Sequence, residues 1–272
     1  MLESFSRVSA MSFRRLRILL LLGVLAAAIS LTWLEQSMVR SWRAPLEVSV
    51  TPINGDGSLQ AAAAIRALQA GDFSDINAFL ERELERYGIR RSPAMTLSLQ
   101  PELTEIPPAP PRDGNVLKIM AWSLKMRWWV YRQSGVLLPE LGKIKLFLLY
   151  HAPGDGVALE HSLGLQKGLI GVVHVFADPR QQSQNNIVVA HELLHTLGAT
   201  DKYDQDGRPV YPIGYADPEQ PQSARRYQAE IMAGRLIDGA GRAVMPQGLE
   251  QCLIGPTTAH EINFGAAFRS SY

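Results

Sequence analysis

Residues 185–198 read NNIVVAHELLHTLG, and the periodicity of this stretch organises the reading of everything around it. At about 100° per residue on a helix, with Ile187 at zero, His191 falls near 40°, His195 near 80° and Gly198 near 20°. Val189, Ala190, Leu193, Leu194 and Leu197 fill the arc from about 200° to 340°, while Glu192 sits near 140°, beside the histidines but off their line. The helix therefore buries one aliphatic face and presents two imidazoles one turn apart on another. Ser183 or Asp178-Pro179 can start it. Gly198 can end it sharply by adopting φ > 0.

Upstream, the hydrophobic pattern predicts strands at 46–52 (LEVSVTP), 94–99, 143–150 (KIKLFLLY), 157–163 and 169–177. The last of these, LIGVVHVFA, is nearly continuous apolar, as in a strand covered on both faces. Two helical stretches follow the first strand; in the second, Ile76, Phe79, Leu80, Leu84 and Tyr87 share a face and Gly88 is the stop. Residues 107–114 (PPAPPRDG) form a stiff loop rather than a domain boundary. Asn115 can cap a helix carrying Leu117, Met120, Leu124, Trp128 and Tyr131 inward and Lys118, Lys125 and Arg132 outward. A solvated charged face is the preferred reading of its outer side, with a membrane-skimming face the alternative. Strands interleaved with helices before the helix at 185–198 predict an α+β domain: a mixed twisted sheet with helices packed on it.

The N-terminus is a different object. Residues 18–34 (ILLLLGVLAAAISLTWL) carry no charge and follow Arg14, Arg15 and Arg17. That length is at the short end of what spans a hydrocarbon core of about 30 Å. The Arg cluster predicts a cytoplasmic N-terminus with the remainder exported, and Trp33 and Trp42 suit the far interface. A signal peptide cleaved near Ala26-Ala27-Ala28, giving a secreted protein, is the alternative. The expected organisation is a cytoplasmic segment 1–17, a transmembrane anchor 18–34, a linker 35–45 and one domain 46–272, extracytoplasmic (periplasmic in a Gram-negative cell). Residues 1–43 hold six Arg and two Glu, so the formal charge of +1 for the 272 residues divides into +4 there and −3 in the rest. This balance argues against a nucleic-acid partner. The single Cys252 excludes an internal disulfide and a cysteine-rich metal module. The oligomeric state is not legible.

Two histidines at i and i+4 with an intervening glutamate fit a zinc site: two nitrogen ligands, and a carboxylate that reaches water rather than metal. H-E-x-x-H alone arises by chance on the order of once per hundred chains of this length. Here it extends to H-E-x-x-H-x-x-G-x-x-D, ending at Asp201. After Gly198 turns the chain, Asp201 can supply a third ligand. Residues 191–201 (HELLHTLGATD) resemble the metzincin clan of zinc peptidases, in the variant with Asp as third ligand seen in snapalysin-like enzymes. The resemblance implies a metzincin-like zincin fold and a Met-turn, for which Met232 in AEIMAG is the candidate and Met245 the weaker one. Residues 198–204 (GATDKYD) also resemble the tail of immune inhibitor A-type peptidases, which would make Glu230 the third ligand.

Such a site implies one Zn²⁺ held by His191, His195 and a carboxylate, with a fourth position for water whose pKa falls toward ~7. Glu192 is the expected general base. The expected function is a membrane-anchored zinc metalloendopeptidase acting on a peptide or protein substrate. The alternatives are a zinc hydrolase of another amide, such as a cell-wall peptide, and a non-catalytic module stapled by zinc. The resemblance assigns substrate binding by strand addition to 169–177. Asp204-Gln205-Asp206-Gly207 reads as a turn rather than a calcium loop. His151, His161, His174 and His260 lack ligand spacing and read as structural. Tyr203, Tyr211, Tyr215 and Tyr227 are unranked oxyanion donors. Thr258-x-x-Glu261 reads as a capping box opening a last helix.

Overall fold

The structure, a computed structural model, describes residues 13–111, 116–134, 140–154, 163–165, 169–219, 227–238 and 241–265. The expected cap Asn115, His161 and the strand over 157–163 up to its last residue lie outside this set. So do residues 1–12 of the N-terminal segment.

In chain order the elements are α1 (Phe13–Val39), β1 (Leu46–Asn54), α2 (Leu59–Ala67), α3 (Ser74–Arg86), β2 (Met95–Leu99), α4 (Val116–Ser134), β3 (Lys143–His151), β4 (Leu163–Leu165), β5 (Ile170–Phe176) and α5 (Gln182–Thr196). After these come four two-residue strands, β6 (Ala229–Glu230), β7 (Leu236–Ile237), β8 (Ala243–Val244) and β9 (Cys252–Leu253), and then α6 (Pro256–Glu261). Strands β1 to β5 form one sheet in the order β2-β1-β3-β5-β4; β2, β1, β3 and β5 run parallel and β4 is antiparallel to β5. The chain is thus a mixed α+β protein with an apolar N-terminal helix.

The topology explains which helix covers which face. From β1 the chain moves to β2 on one side, then back across β1 to β3 on the other. Crossovers between parallel strands keep one hand, so reversing direction moves the connecting helix to the opposite face. Helices α2 and α3 share the main core with α5 and with Val48, Val50, Leu146, Leu148, Val173 and Val175. Across the sheet, Trp122, Met126 and Trp129 of α4 pack on Ile53, Phe147, Leu149 and Ile170. Central strand β3 is covered on both sides, which is why it reads as an apolar run. Cutting a core leucine such as Leu148 back to alanine costs about 2–5 kcal/mol.

Two elements depart from expectation. In α4, Leu117, Met120, Leu124, Trp128 and Tyr131 face solvent, whereas Trp122, Met126, Trp129 and Val130 face the sheet. The helix carries two apolar stripes on opposite sides, and helical periodicity alone does not say which is inward. The stripe with two tryptophans wins: Trp129 meets Phe147 edge-on, 4.9 Å between ring centroids, and Trp122 Nε1 donates to the Pro108 carbonyl at 2.7 Å. The second departure concerns the strand expected to take up a substrate. β3 covers one edge of β5 along its length, and β4 covers the other over Ile170–Val172, so only the half of β5 beyond Val172 has an edge without a strand partner among the described residues.

Helix α1 is longer than the uncharged run 18–34. Its apolar window is entirely exposed, and it is long and apolar enough to cross a membrane. Among the described residues, only its last turns touch the domain. Val39 enters the core, Gln36 Nε2 donates to the Thr196 carbonyl at 3.5 Å, and Arg40 donates to the Glu261 carbonyl. Just beyond the helix, Trp42 is buried and its Nε1 donates to the Ile262 carbonyl at 2.9 Å.

Candidate metal centre

Helix α5 is fixed before it reaches the histidines. Asp178 caps the turn ahead of it by accepting from Arg180 N at 3.0 Å. The Asn185 amide pairs with both backbone groups of Phe176, at 3.1 and 2.8 Å, which locks the helix start to the end of β5. Asn186 donates to the Asp72 carbonyl and the Asp75 carboxylate, joining α5 to the start of α3. Val189, Ala190, Leu193, Leu194 and Leu197 are buried, as the wheel predicts. The helix then ends in a Schellman arrangement, with Ala199 N donating to the Leu194 carbonyl and Gly198 N to the His195 carbonyl, both at 3.0 Å. Gly198 has φ 103°, a left-handed value that a side chain would strain.

That turn brings Asp201 back to the imidazoles. His191 Nε2 and His195 Nε2 lie 3.0 Å apart, and Asp201 Oδ1 is 3.1 Å from each. The other ring nitrogens are pinned by backbone: His191 Nδ1 at 3.0 Å from the Ile231 carbonyl and His195 Nδ1 at 2.8 Å from the Ala199 carbonyl. A carbonyl only accepts, so each Nδ1 carries a hydrogen and each neutral ring turns its Nε2 lone pair inward. Three acceptors then converge on one point, an arrangement that a cation between them would satisfy. Tetrahedral zinc with bonds of 2.0–2.1 Å sets its ligands about 3.3 Å apart, and the triangle lies within a few tenths of an ångström of that. The residues therefore fit the ion. The Glu192 carboxylate lies within 4.8 Å of the histidine nitrogens and is buried. Asp201 is 43% exposed, so the triangle sits at a surface opening.

The electrostatics follow from this convergence. Burial works against the Asp201 carboxylate, but the two imidazoles beside it hold it far below the usual range. For His191, burial opposes protonation, and the pull of Asp201 outweighs it and raises the pKa. Tyr203 is pushed up to about 12, first by burial and then by the Asp201 charge, toward which its hydroxyl donates. Its ring lies nearly parallel to that of His191 at 6.4 Å, so Tyr203 is the one expected tyrosine found at the triangle. Tyr211 and Tyr215 pack on each other, and Tyr227 is exposed.

A tight turn supports the triangle from below. Ala233 N donates to the Glu230 carbonyl at 3.0 Å, closing a four-residue turn with the buried Met232 at its third position. The Ile231 carbonyl of this turn orients His191, and the Met232 carbonyl accepts from Lys202 N at 3.0 Å, next to Asp201. The turn is thus tied to two corners of the triangle through backbone. Glu230, the alternative third ligand, has both carboxylate oxygens engaged away from the triangle. One oxygen accepts from Thr258 Oγ1 at 2.6 Å and Gly255 N at 3.2 Å, the other from Ala233 N at 3.0 Å. Burial raises its pKa, against those hydrogen bonds.

Sequence reading missed the clamp behind Asp201. Lys202 is 1% exposed, and its ammonium contacts both Glu261 oxygens, at 3.0 and 2.8 Å, and the Thr200 carbonyl and hydroxyl. Glu261 also accepts from Thr200 N and Oγ1. The expected capping box is therefore corrected: α6 starts at Pro256, the Thr258 hydroxyl serves Glu230, and Glu261 reaches across to hold the Asp201 loop. A lysine inside a polar loop gives no periodic signal of burial. Asp204 accepts from Asp206 N and Arg208 N, and Gly207 has φ 72°, the turn that was expected. His151 and His174 form a second pair, Nε2 to Nδ1 at 2.9 Å, built by neighbouring strands β3 and β5. His260 is exposed.

No family model and no curated protein matches the chain. Among solved structures, a crystal structure of OgpA from Akkermansia muciniphila superposes with a TM-score of 0.37 at 11% identity, over 79% of this chain. The chain spans 58% of the length of that structure.

Proposed function

We propose that the chain is a membrane-anchored, zinc-dependent metalloendopeptidase of metzincin type, with His191, His195 and Asp201 as ligands and Glu192 as general base. The observation that carries this reading is the set of three converging acceptors, two of them oriented by carbonyls at their far nitrogens. Zinc bound there supplies a Lewis acid that polarises a carbonyl and makes water acidic near neutral pH.

The residues do the rest. Ile231 and Ala199 hold the imidazoles in one tautomer, so neither ring is spent on moving protons. The Glu192 carboxylate stands beside the ligands, where it takes a proton from the attacking water and hands it to the leaving amide nitrogen. Its burial excludes solvent from that transfer. The Tyr203 hydroxyl stays protonated through the physiological range and fixes Asp201. Gly198 and the Lys202–Glu261 clamp set the reach of Asp201, and the turn at Met232 forms the floor. Strand β4, on the outer side of β5 and packed against α5, is the edge at which an extended substrate adds by backbone pairing.

The test is Glu192→Gln in the full chain, with zinc content and cleavage of a diverse peptide library measured side by side. The expected result is retained zinc with a loss in kcat of about 10²–10⁴-fold. Full activity in the variant contradicts the mechanism. Zinc without cleavage in the wild-type chain reassigns the site to a structural staple.

A further inference from the structure

Helix α4 has a face that the peptidase reading does not use. Leu117, Met120, Leu124, Trp128 and Tyr131 are all exposed. At 100° per residue they form a stripe about 80° wide, opposite the stripe that packs on the sheet. Lys118, Lys125 and Arg132 run along one edge of the stripe and Arg127 stands on the other. The helix contains no acidic residue. A solvated face would alternate charge with polar residues. An apolar stripe with tryptophan and tyrosine, edged by long cations that can reach upward, is the pattern of a helix lying in a headgroup layer.

Position points the same way. The exposed apolar part of α1 ends at Leu34, and the next residue, Glu35, lies within electrostatic reach of Arg127 of α4 and Lys145 of β3. The turns that follow are held to the domain by Gln36, Val39 and Arg40. Helix α4 therefore stands beside the point where the apolar helix meets the domain, with four cations and no anion on that element.

We infer that the outer face of α4 lies on the surface of the bilayer that α1 crosses, its apolar stripe among the acyl-chain boundary and its lysines and arginines among anionic headgroups. This rests on the reading of α1 as a membrane anchor. Together the two contacts would hold the domain in one orientation on the membrane.

The test uses the full chain in vesicles of phosphatidylcholine, with and without phosphatidylglycerol. A nitroxide is attached at Met120→Cys, Leu124→Cys, Lys118→Cys or Lys125→Cys; the native Cys252 is fully buried and remains unlabelled. Collision rates with oxygen and with a water-soluble nickel chelate are compared. The expected result is an oxygen-to-nickel ratio several-fold higher at 120 and 124 than at 118 and 125. Phosphatidylglycerol should raise that difference, and Lys118→Gln/Lys125→Gln/Arg132→Gln should abolish the effect of phosphatidylglycerol. Free access of nickel at 120 and 124, in protein that carbonate does not extract, overturns the inference and leaves the anchor intact. Exclusion of both reagents, or spin–spin broadening between chains, replaces the bilayer with a second copy. Extraction of the chain by carbonate overturns the anchor reading, and this inference with it.

Discussion

The described residues hold two histidine pairs with almost the same nitrogen separation and different chemistry. His191 and His195 sit one turn apart on α5 with Nε2 atoms 3.0 Å apart; His151 and His174 sit on adjacent strands, 2.9 Å apart. The strand pair is nearly coplanar, 20° between rings with centroids at 5.1 Å, so its two nitrogens face each other along one line. One donates and the other accepts, and a single proton satisfies the contact. The helix pair is crossed at 80°, and backbone carbonyls hold the hydrogens at the far nitrogens. Both near nitrogens then accept, as does Asp201. Distance alone does not suit a histidine pair to a metal; the fixed tautomers and the third acceptor do.

The sharpest break between the pairs is metal retention. His195→Ala should remove zinc and cleavage together, whereas His174→Asn should leave both unchanged and cost about 1 kcal/mol of stability. Zinc analysis and peptide hydrolysis on both variants check this, and equal zinc loss would erase the distinction drawn here. A smaller effect is expected from Tyr203→Phe. The hydroxyl that donates toward Asp201 is lost, and zinc affinity should fall roughly tenfold, read by competition with a chelator.

Smaller still is the clamp. Burial opposes ionisation of Glu261, but its hydrogen bonds with Lys202 and Thr200 prevail and lower its pKa below the unfolded value. Its contribution is therefore fully present above about pH 4.3 and disappears as pH falls through the folded pKa. Glu261→Gln should cost about 1 kcal/mol at neutral pH, given partial exposure. The difference from wild type in chemical denaturation should vanish in acid. A difference that persists there would assign the loss to packing instead.

How much of this was legible beforehand follows from the range of each signal. The i, i+4 histidines, the glycine that ends their helix and the aspartate three residues later are local, and α5 with its Schellman end needs nothing distant to form. Strands β1, β2, β3 and β5 were also readable, β1 and β2 by alternation and β3 and β5 as nearly continuous apolar runs. The side of α4 was not. Its two apolar stripes satisfy the same periodicity, and only the fit of Trp122 and Trp129 against β3 and β5 chooses between them. The His151–His174 pair needs the register of β3 on β5. The Lys202–Glu261 clamp joins residues 59 apart. Glu230 shows the converse case. The resemblance of residues 198–204 to immune inhibitor A-type peptidases suggested it as a ligand, but Thr258, Gly255 and Ala233 hold its oxygens.

The most direct test of the central claim is the zinc content of the purified full chain alongside Asp201→Ala and Glu230→Gln. One zinc per chain is expected in the wild type and in Glu230→Gln, with loss in Asp201→Ala. A wild type without zinc, or an Asp201→Ala variant that keeps it while Glu230→Gln loses it, would contradict the site described here.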